Sequence, residues 1–129
     1  MIYLDNAATS LYRPESVVRA VSEAMCSMGN VGRGASESAL GAARIVYAAR
    51  EKLCAFFGGA DPSRVCFTQN STEALNTAIR GTLCKGDEVI CSHAEHNAVM
   101  RVLKGLEEQG AIRVRMLAPN SLGLIAPER

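Results

Sequence analysis

The stretch Val65-Cys66-Phe67-Thr68-Gln69-Asn70-Ser71-Thr72-Glu73-Ala74-Leu75-Asn76 constrains the fold more than any other part of the chain. Val65 to Phe67 is an apolar run of strand-forming residues. Asn70 reads as a helix N-cap, with Glu73 three positions later, and Ala74, Leu75, Ala78 and Ile79 recur at helical spacing. A strand that turns at once into a helix is the repeating unit of α/β proteins. The turn also leaves the N–H groups of Ser71, Thr72 and Glu73 at the positive end of a helix dipole, where an anion such as phosphate is stabilised. The Thr72 hydroxyl adds a donor. The plainer reading of N-S-T-E is a helix cap alone, and Glu73 opposes an anion unless its carboxylate turns back to the Asn70 N–H.

Before this stretch, Met1 to Leu4 is a short apolar start, read as a strand or extended segment, leading into Asp5-Asn6-Ala7-Ala8-Thr9. Pro14 is expected in the first turn of a helix whose apolar stripe is Val17, Val18, Val21, Ala24, Met25 and Met28, ending at Gly29-Asn30. Residues 29–36 are glycine-rich and aperiodic. No strand precedes them and the G-x-G-x-x-G pattern is not there, so they read as a connector, with Arg33 the one residue able to meet an anion. A second helix is expected from about Ser38 to Phe57, stopped by Gly58-Gly59.

After it, Glu88 to Cys91 reads as a strand. Ser92-His93-Ala94-Glu95-His96-Asn97 follows with both histidines of the chain, then a helix carrying Val99, Val102, Leu103 and Leu106 with Gly110 as its stop. Ile112, Val114 and Met116 alternate with Arg113 and Arg115, the pattern of a strand with one wet face. Alternating strands and helices imply an α/β fold with a largely parallel sheet, in which ligands gather at the carboxyl ends of strands. Ser71, Thr72, His93 and His96 are thereby expected on one rim.

Composition narrows the partners. A net charge of +1 over 129 residues, no Trp and three each of Tyr and Phe give no footing for nucleic acid. No apolar stretch is long enough to span a bilayer. The five cysteines are odd in number, hold no C-x-x-C pair and have no zinc spacing to His93 or His96, so no metal site is expected. Cys54 and Cys66 fall in apolar patterns and read as buried residues of a reducing, cytoplasmic compartment.

Three segments in register resemble one family: Ile2-Tyr3-Leu4-Asp5-Asn6-Ala7-Ala8-Thr9, the F-T-x-N-S-T-E-A-x-N run from Phe67 to Asn76, and Glu95-His96-Asn97-Ala98-Val99. The chain is similar along its whole length to class V aminotransferase-like enzymes, nearest to the cysteine desulfurases and selenocysteine lyases. The resemblance implies pyridoxal 5'-phosphate as cofactor and the N-terminal part of the fold type I large domain, a mostly parallel sheet with helices on both faces. It implies an N-terminal segment, first helix and glycine-rich active-site loop over 1–37, and the start of the cofactor-binding domain over 38–129. It gives Ser71 and Thr72 the cofactor phosphate and lays the His96 ring over the pyridine ring, where it assists proton transfer. Ala7, Ala8 and Thr9 match the segment that runs near the active site, and His93 carries no family role.

The implied reaction takes sulfur from L-cysteine onto an enzyme thiol and leaves alanine, in a homodimer that passes the sulfur to an acceptor protein. Selenocysteine lyase or class V aminotransferase activity is the alternative within the family. Asn70 stands where many desulfurases have glycine, and Gln69 replaces a small residue, which leaves the substrate open. The lysine that carries the cofactor, the aspartate on its ring nitrogen, the nucleophilic cysteine and the substrate-binding arginine are expected beyond Arg129. Lys52, Lys85 and Lys104 do not match the family's lysine motif. Ile125 to Arg129 also reads as the opening of a helix. The chain is therefore expected to be the N-terminal piece of a longer enzyme, inactive alone, or else a non-catalytic fragment that binds phosphate or cofactor reversibly.

Overall fold

The computed structural model describes residues 2–7 and 9–125. Ala8, in the segment expected to run near the active site, and all but the first residue of the helix opening expected over 125–129 lie outside them. The chain divides into two compact units, Met1–Cys66 and Phe67–Arg129.

The first unit holds α1 (Glu15–Ser27) and α2 (Glu37–Phe56), followed by a single 3-10 turn over Pro62–Arg64. Pro14 is the N-cap of α1 and not its first helical residue. Its φ of −54° and ψ of 141° lie outside the helical region, while its carbonyl accepts the Val17 and Val18 N–H groups. α1 buries no residue, and its stripe of Val17, Val18, Val21 and Met25 stays exposed. α2 begins one residue before the expected Ser38, because the Ser36 hydroxyl accepts the Ala39 N–H and so serves as cap. It ends as expected. Gly58 takes a φ of 69°, its N–H donates to the Ala55 carbonyl, and the Gly59 N–H donates to that of Cys54.

The segment after the 3-10 turn is a correction to the expected strand at Val65–Phe67. Val65 is extended, with φ −82° and ψ 108°, yet residues 65–68 form no ladder, since no strand pairs with them among the described residues. Strand propensity sets the backbone angles, but only a neighbour supplies the hydrogen bonds that make a sheet. Cys66 is exposed for the same reason, whereas Cys54, near the end of α2, is buried as expected.

The second unit runs α3 (Ser71–Thr82), β1 (Glu88–Ser92), α4 (Asn97–Glu108) and β2 (Arg113–Leu117). β1 and β2 pair in parallel with Val89 opposite Val114 and Cys91 opposite Met116, so β1-α4-β2 is a βαβ unit. The register puts Glu88, Ile90, Arg113 and Arg115 on the opposite sheet face from Cys91, Val114 and Met116. Cys91, Leu103 and Ile112 centre the core, joined by Ile79 of α3, by Leu83 at its C-cap, and by Val99, Met100 and Leu106 from α4. α4 stops at Gly110, whose φ of 67° lets its N–H reach Glu107 and the Ala111 N–H reach Leu106.

The two edges of this sheet differ. On β2 the outward Val114 N–H donates to Glu107 Oε1 at 2.8 Å, so a carboxylate from α4 takes one of that edge's outward donors. On β1 the outward groups of Ile90 have no partner strand among the described residues, and the Ile90 side chain is 67% exposed.

Candidate functional site

The first turn of α3 is the best-defined polar arrangement in the second unit. Asn70, at φ −161° and ψ 167°, caps the helix, with Oδ1 accepting the Glu73 N–H at 2.9 Å. Glu73 reaches back one residue further than a capping box requires: Oε2 accepts the Gln69 N–H at 2.9 Å, not that of Asn70. The Thr68 hydroxyl donates to the Asn70 carbonyl at 2.9 Å, and the Asn76 side-chain amide donates to the Thr72 carbonyl at the same distance. These bonds fix the turn and spend the Glu73 N–H, which therefore drops out of the expected anion site. The N–H and hydroxyl groups of Ser71 and Thr72 remain, exposed and without a protein partner among the described residues. Two N–H donors and two hydroxyls at a helix N-terminus suit the oxygens of a phosphate.

His96 sits at the N-terminus of α4, beyond the end of β1. Its backbone is extended, with φ −68° and ψ 149°, and its Nδ1 accepts the Ala98 N–H at 3.1 Å. His96 is thus the N-cap of α4, a role that sequence reasoning missed because the usual capping residues point to Asn97. His93 is exposed, and its N–H extends the β1-β2 ladder by one bond, to the Leu117 carbonyl at 3.0 Å. Ser71, Thr72, His93 and His96 all lie in the second unit, the first two opening α3 and the last two following β1.

A cleft of about 490 Å³ lies between α3, β1 and α4, touching Leu75, Ile79, Ile90, Cys91, Glu95 and Val99. It is largely apolar and is not lined by Ser71, Thr72 or His96. Its floor is the unpaired edge of β1. The polar donors and this cleft are therefore separate features. Beneath it the Cys91 thiol is held above its ordinary range, first by burial and then by the nearby Glu95 carboxylate. Cys91 Sγ lies 3.7 Å from the Met100 sulfur. A thiol so placed stays protonated and does not act as a nucleophile.

Residues 2–129 match the family model described as Aminotransferase class-V, and the chain belongs to that family. It is 35% identical over 122 residues to a probable cysteine desulfurase of Halobacterium salinarum, covering 91% of this chain and 29% of that protein. It is 37% identical to the cysteine desulfurase IscS of an Enterobacter species, covering 96% of this chain and 32% of the relative. Among solved structures, the apo cysteine desulfurase of Thermococcus onnurineus superposes with a TM-score of 0.82 at 26% identity, over 96% of this chain and 32% of that one. The chain thus spans under a third of the length of these proteins.

Proposed function

We propose that this chain is the N-terminal part of a pyridoxal-phosphate-dependent cysteine desulfurase, and that the first turn of α3 receives the cofactor phosphate. The observation that carries the reading is that Asn70 and Glu73 bind their own turn while Ser71 and Thr72 keep two N–H groups and two hydroxyls open. The donor set fits a phosphate monoester, and its place in the F-T-x-N-S-T-E-A run fits the family's phosphate site. Bound there, pyridoxal phosphate supplies an electron sink for an amino-acid substrate. Ser71 and Thr72 would hold the phosphate through their N–H groups, aided by the helix dipole, and the Thr72 hydroxyl would add a further donor. His96, held at the head of α4, would present its ring to the pyridine ring, as the family resemblance implies. With the family comes L-cysteine as substrate, alanine as product, transfer of sulfur to an acceptor protein, a homodimer and a cytoplasmic setting.

One observation favours a second reading for the 129 residues by themselves. Lys52, Lys85 and Lys104 are all exposed, and Lys104 lies 3.9 Å from Glu108 in an ion pair on the surface of α4. None is in the family's lysine motif, so this length of chain binds the cofactor reversibly without holding it covalently.

Titrating the chain with pyridoxal phosphate, and with pyridoxal as the phosphate-free control, tests both readings. The expected result is weak, reversible, phosphate-dependent binding that Thr72→Ala lowers. Binding indifferent to the phosphate and to Thr72→Ala overturns the α3 site. A borohydride-fixed adduct at one specific lysine overturns the reversible reading.

A further inference from the structure

The contact that carries furthest beyond that reading is the one from the Ala98 N–H to His96. We propose that the first turn of α4 selects the Nε2–H tautomer of the His96 imidazole, which presents Nε2 as a hydrogen-bond donor toward a ligand while Nδ1 is taken by the helix. An N–H can only donate, so the nitrogen that receives it must carry a free lone pair. With Nδ1 in that role at 3.1 Å from the Ala98 nitrogen, the single proton of the neutral imidazole is on Nε2.

Three observations make this more than a passing contact. The His96 backbone already has N-cap geometry, and its carbonyl accepts the Val99 N–H at 2.9 Å and the Met100 N–H at 3.2 Å. Ala98 is 6% exposed, so its N–H has little water to turn to if the ring leaves. A proton on Nδ1 would place donor against donor at the positive end of the α4 dipole. The neighbouring titratable groups in the loop, His93 and Glu95, are both exposed. The basic nitrogen of His96 is therefore occupied for as long as α4 is capped. Nε2 has no partner among the described residues, and the atom it meets must be an acceptor such as a carboxylate, carbonyl or phenolate oxygen.

The ligand assignment rests on the cofactor reading, but the tautomer does not. Ala98 and the α4 turn act here through His96, as positioning groups. The sequence resemblance led to an expectation that His96 assists proton transfer. The cap limits that role, because the ring must first release Ala98 to take a proton at Nδ1.

The test is histidine-selective 15N NMR on the full 129-residue chain at about pH 8, above the ordinary histidine range, with His93→Gln to assign the two rings. The expected spectrum shows His96 as a single tautomer, Nδ1 unprotonated and coupled across the hydrogen bond to the Ala98 nitrogen. A protonated Nδ1, or a tautomer mixture equal to that of His93, overturns the proposal. Amide exchange gives a second reading: His96→Asn, which also caps, should leave Ala98 protected, and His96→Ala should speed its exchange by about fivefold or more. Equal exchange in both variants also overturns it. Failure of pyridoxal phosphate to bind, with the tautomer intact, counts against the cofactor reading alone.

Discussion

Glu73 Oε2 accepts the N–H of Gln69 at 2.9 Å, so the one acidic group in the first turn of α3 is tied to a donor outside the helix. This resolves the conflict between an anion site and a carboxylate within one turn of it. The residue that would repel a phosphate at the proposed site by charge also holds the loop that leads into that turn.

The two roles separate by substitution. Glu73→Gln keeps an acceptor for Gln69 and removes the charge, so phosphate-ester affinity should rise while thermal stability changes little. Glu73→Ala loses the bond as well and should lower stability by about 0.5–1 kcal/mol. Calorimetric titration with pyridoxal phosphate beside thermal unfolding reads both effects. Lower affinity in the Gln variant would count against an anion at this turn.

Glu107 offers a prediction about association. Its carboxylate takes the outward Val114 N–H at 2.8 Å on the β2 edge. Glu107→Ala should cost about 1 kcal/mol for the lost bond and uncover an edge N–H that another strand can pair with. Sedimentation velocity should show more concentration-dependent association than in the parent chain. Glu107→Gln, which still accepts, should restore the parent behaviour.

The cysteines should sort by environment. Cys26, Cys66 and Cys84 are exposed, and Cys54 and Cys91 are buried. A thiol reagent applied to the native chain should modify the first three rapidly and the other two only after unfolding. For Cys91 the folded pKa is raised, so the folded state holds its proton more tightly than the unfolded chain does. Its contribution to stability is complete below the unfolded cysteine pKa and is lost as pH rises through the folded one. Cys91→Ala should therefore show a smaller loss of stability than the parent when alkaline unfolding midpoints are compared.

The sequence made much of this framework legible, and particular residues show why. Local signals mark the ends of α2, α3 and α4: Asn70 caps by its side chain, and Gly58 and Gly110 take backbone angles that other residues resist. The Arg113–Met116 alternation marks β2 because one face packs on α4. Val65–Phe67 could not be settled in the same way, since a ladder depends on a partner that propensity does not encode. Ser71 and Thr72 were legible as donors suited to an anion from the cap alone, whereas the cofactor came only from the resemblance. The His96 cap and the Glu107–Val114 bond were hidden because each depends on a side-chain rotamer, and no spacing rule fixes that.

Leu103 gives the sharpest test of how the second unit holds together. It is 3% exposed at the centre of the cluster with Cys91 and Ile112, and α3, α4 and both strands supply residues around it. Leu103→Ala removes three carbons from that centre and should cost about 2–5 kcal/mol, depending on how far the neighbours close in. A unit with only three buried residues in this cluster has little reserve to absorb such a loss. Hydrogen exchange should therefore show α3, β1, α4 and β2 losing protection together, with α2 much less affected. Leu103→Met, which conserves volume, should stay within about 1.5 kcal/mol of the parent. If protection fell in α4 alone, the cluster would not be the cooperative centre that fixes the α3 turn and the His96 cap in one unit.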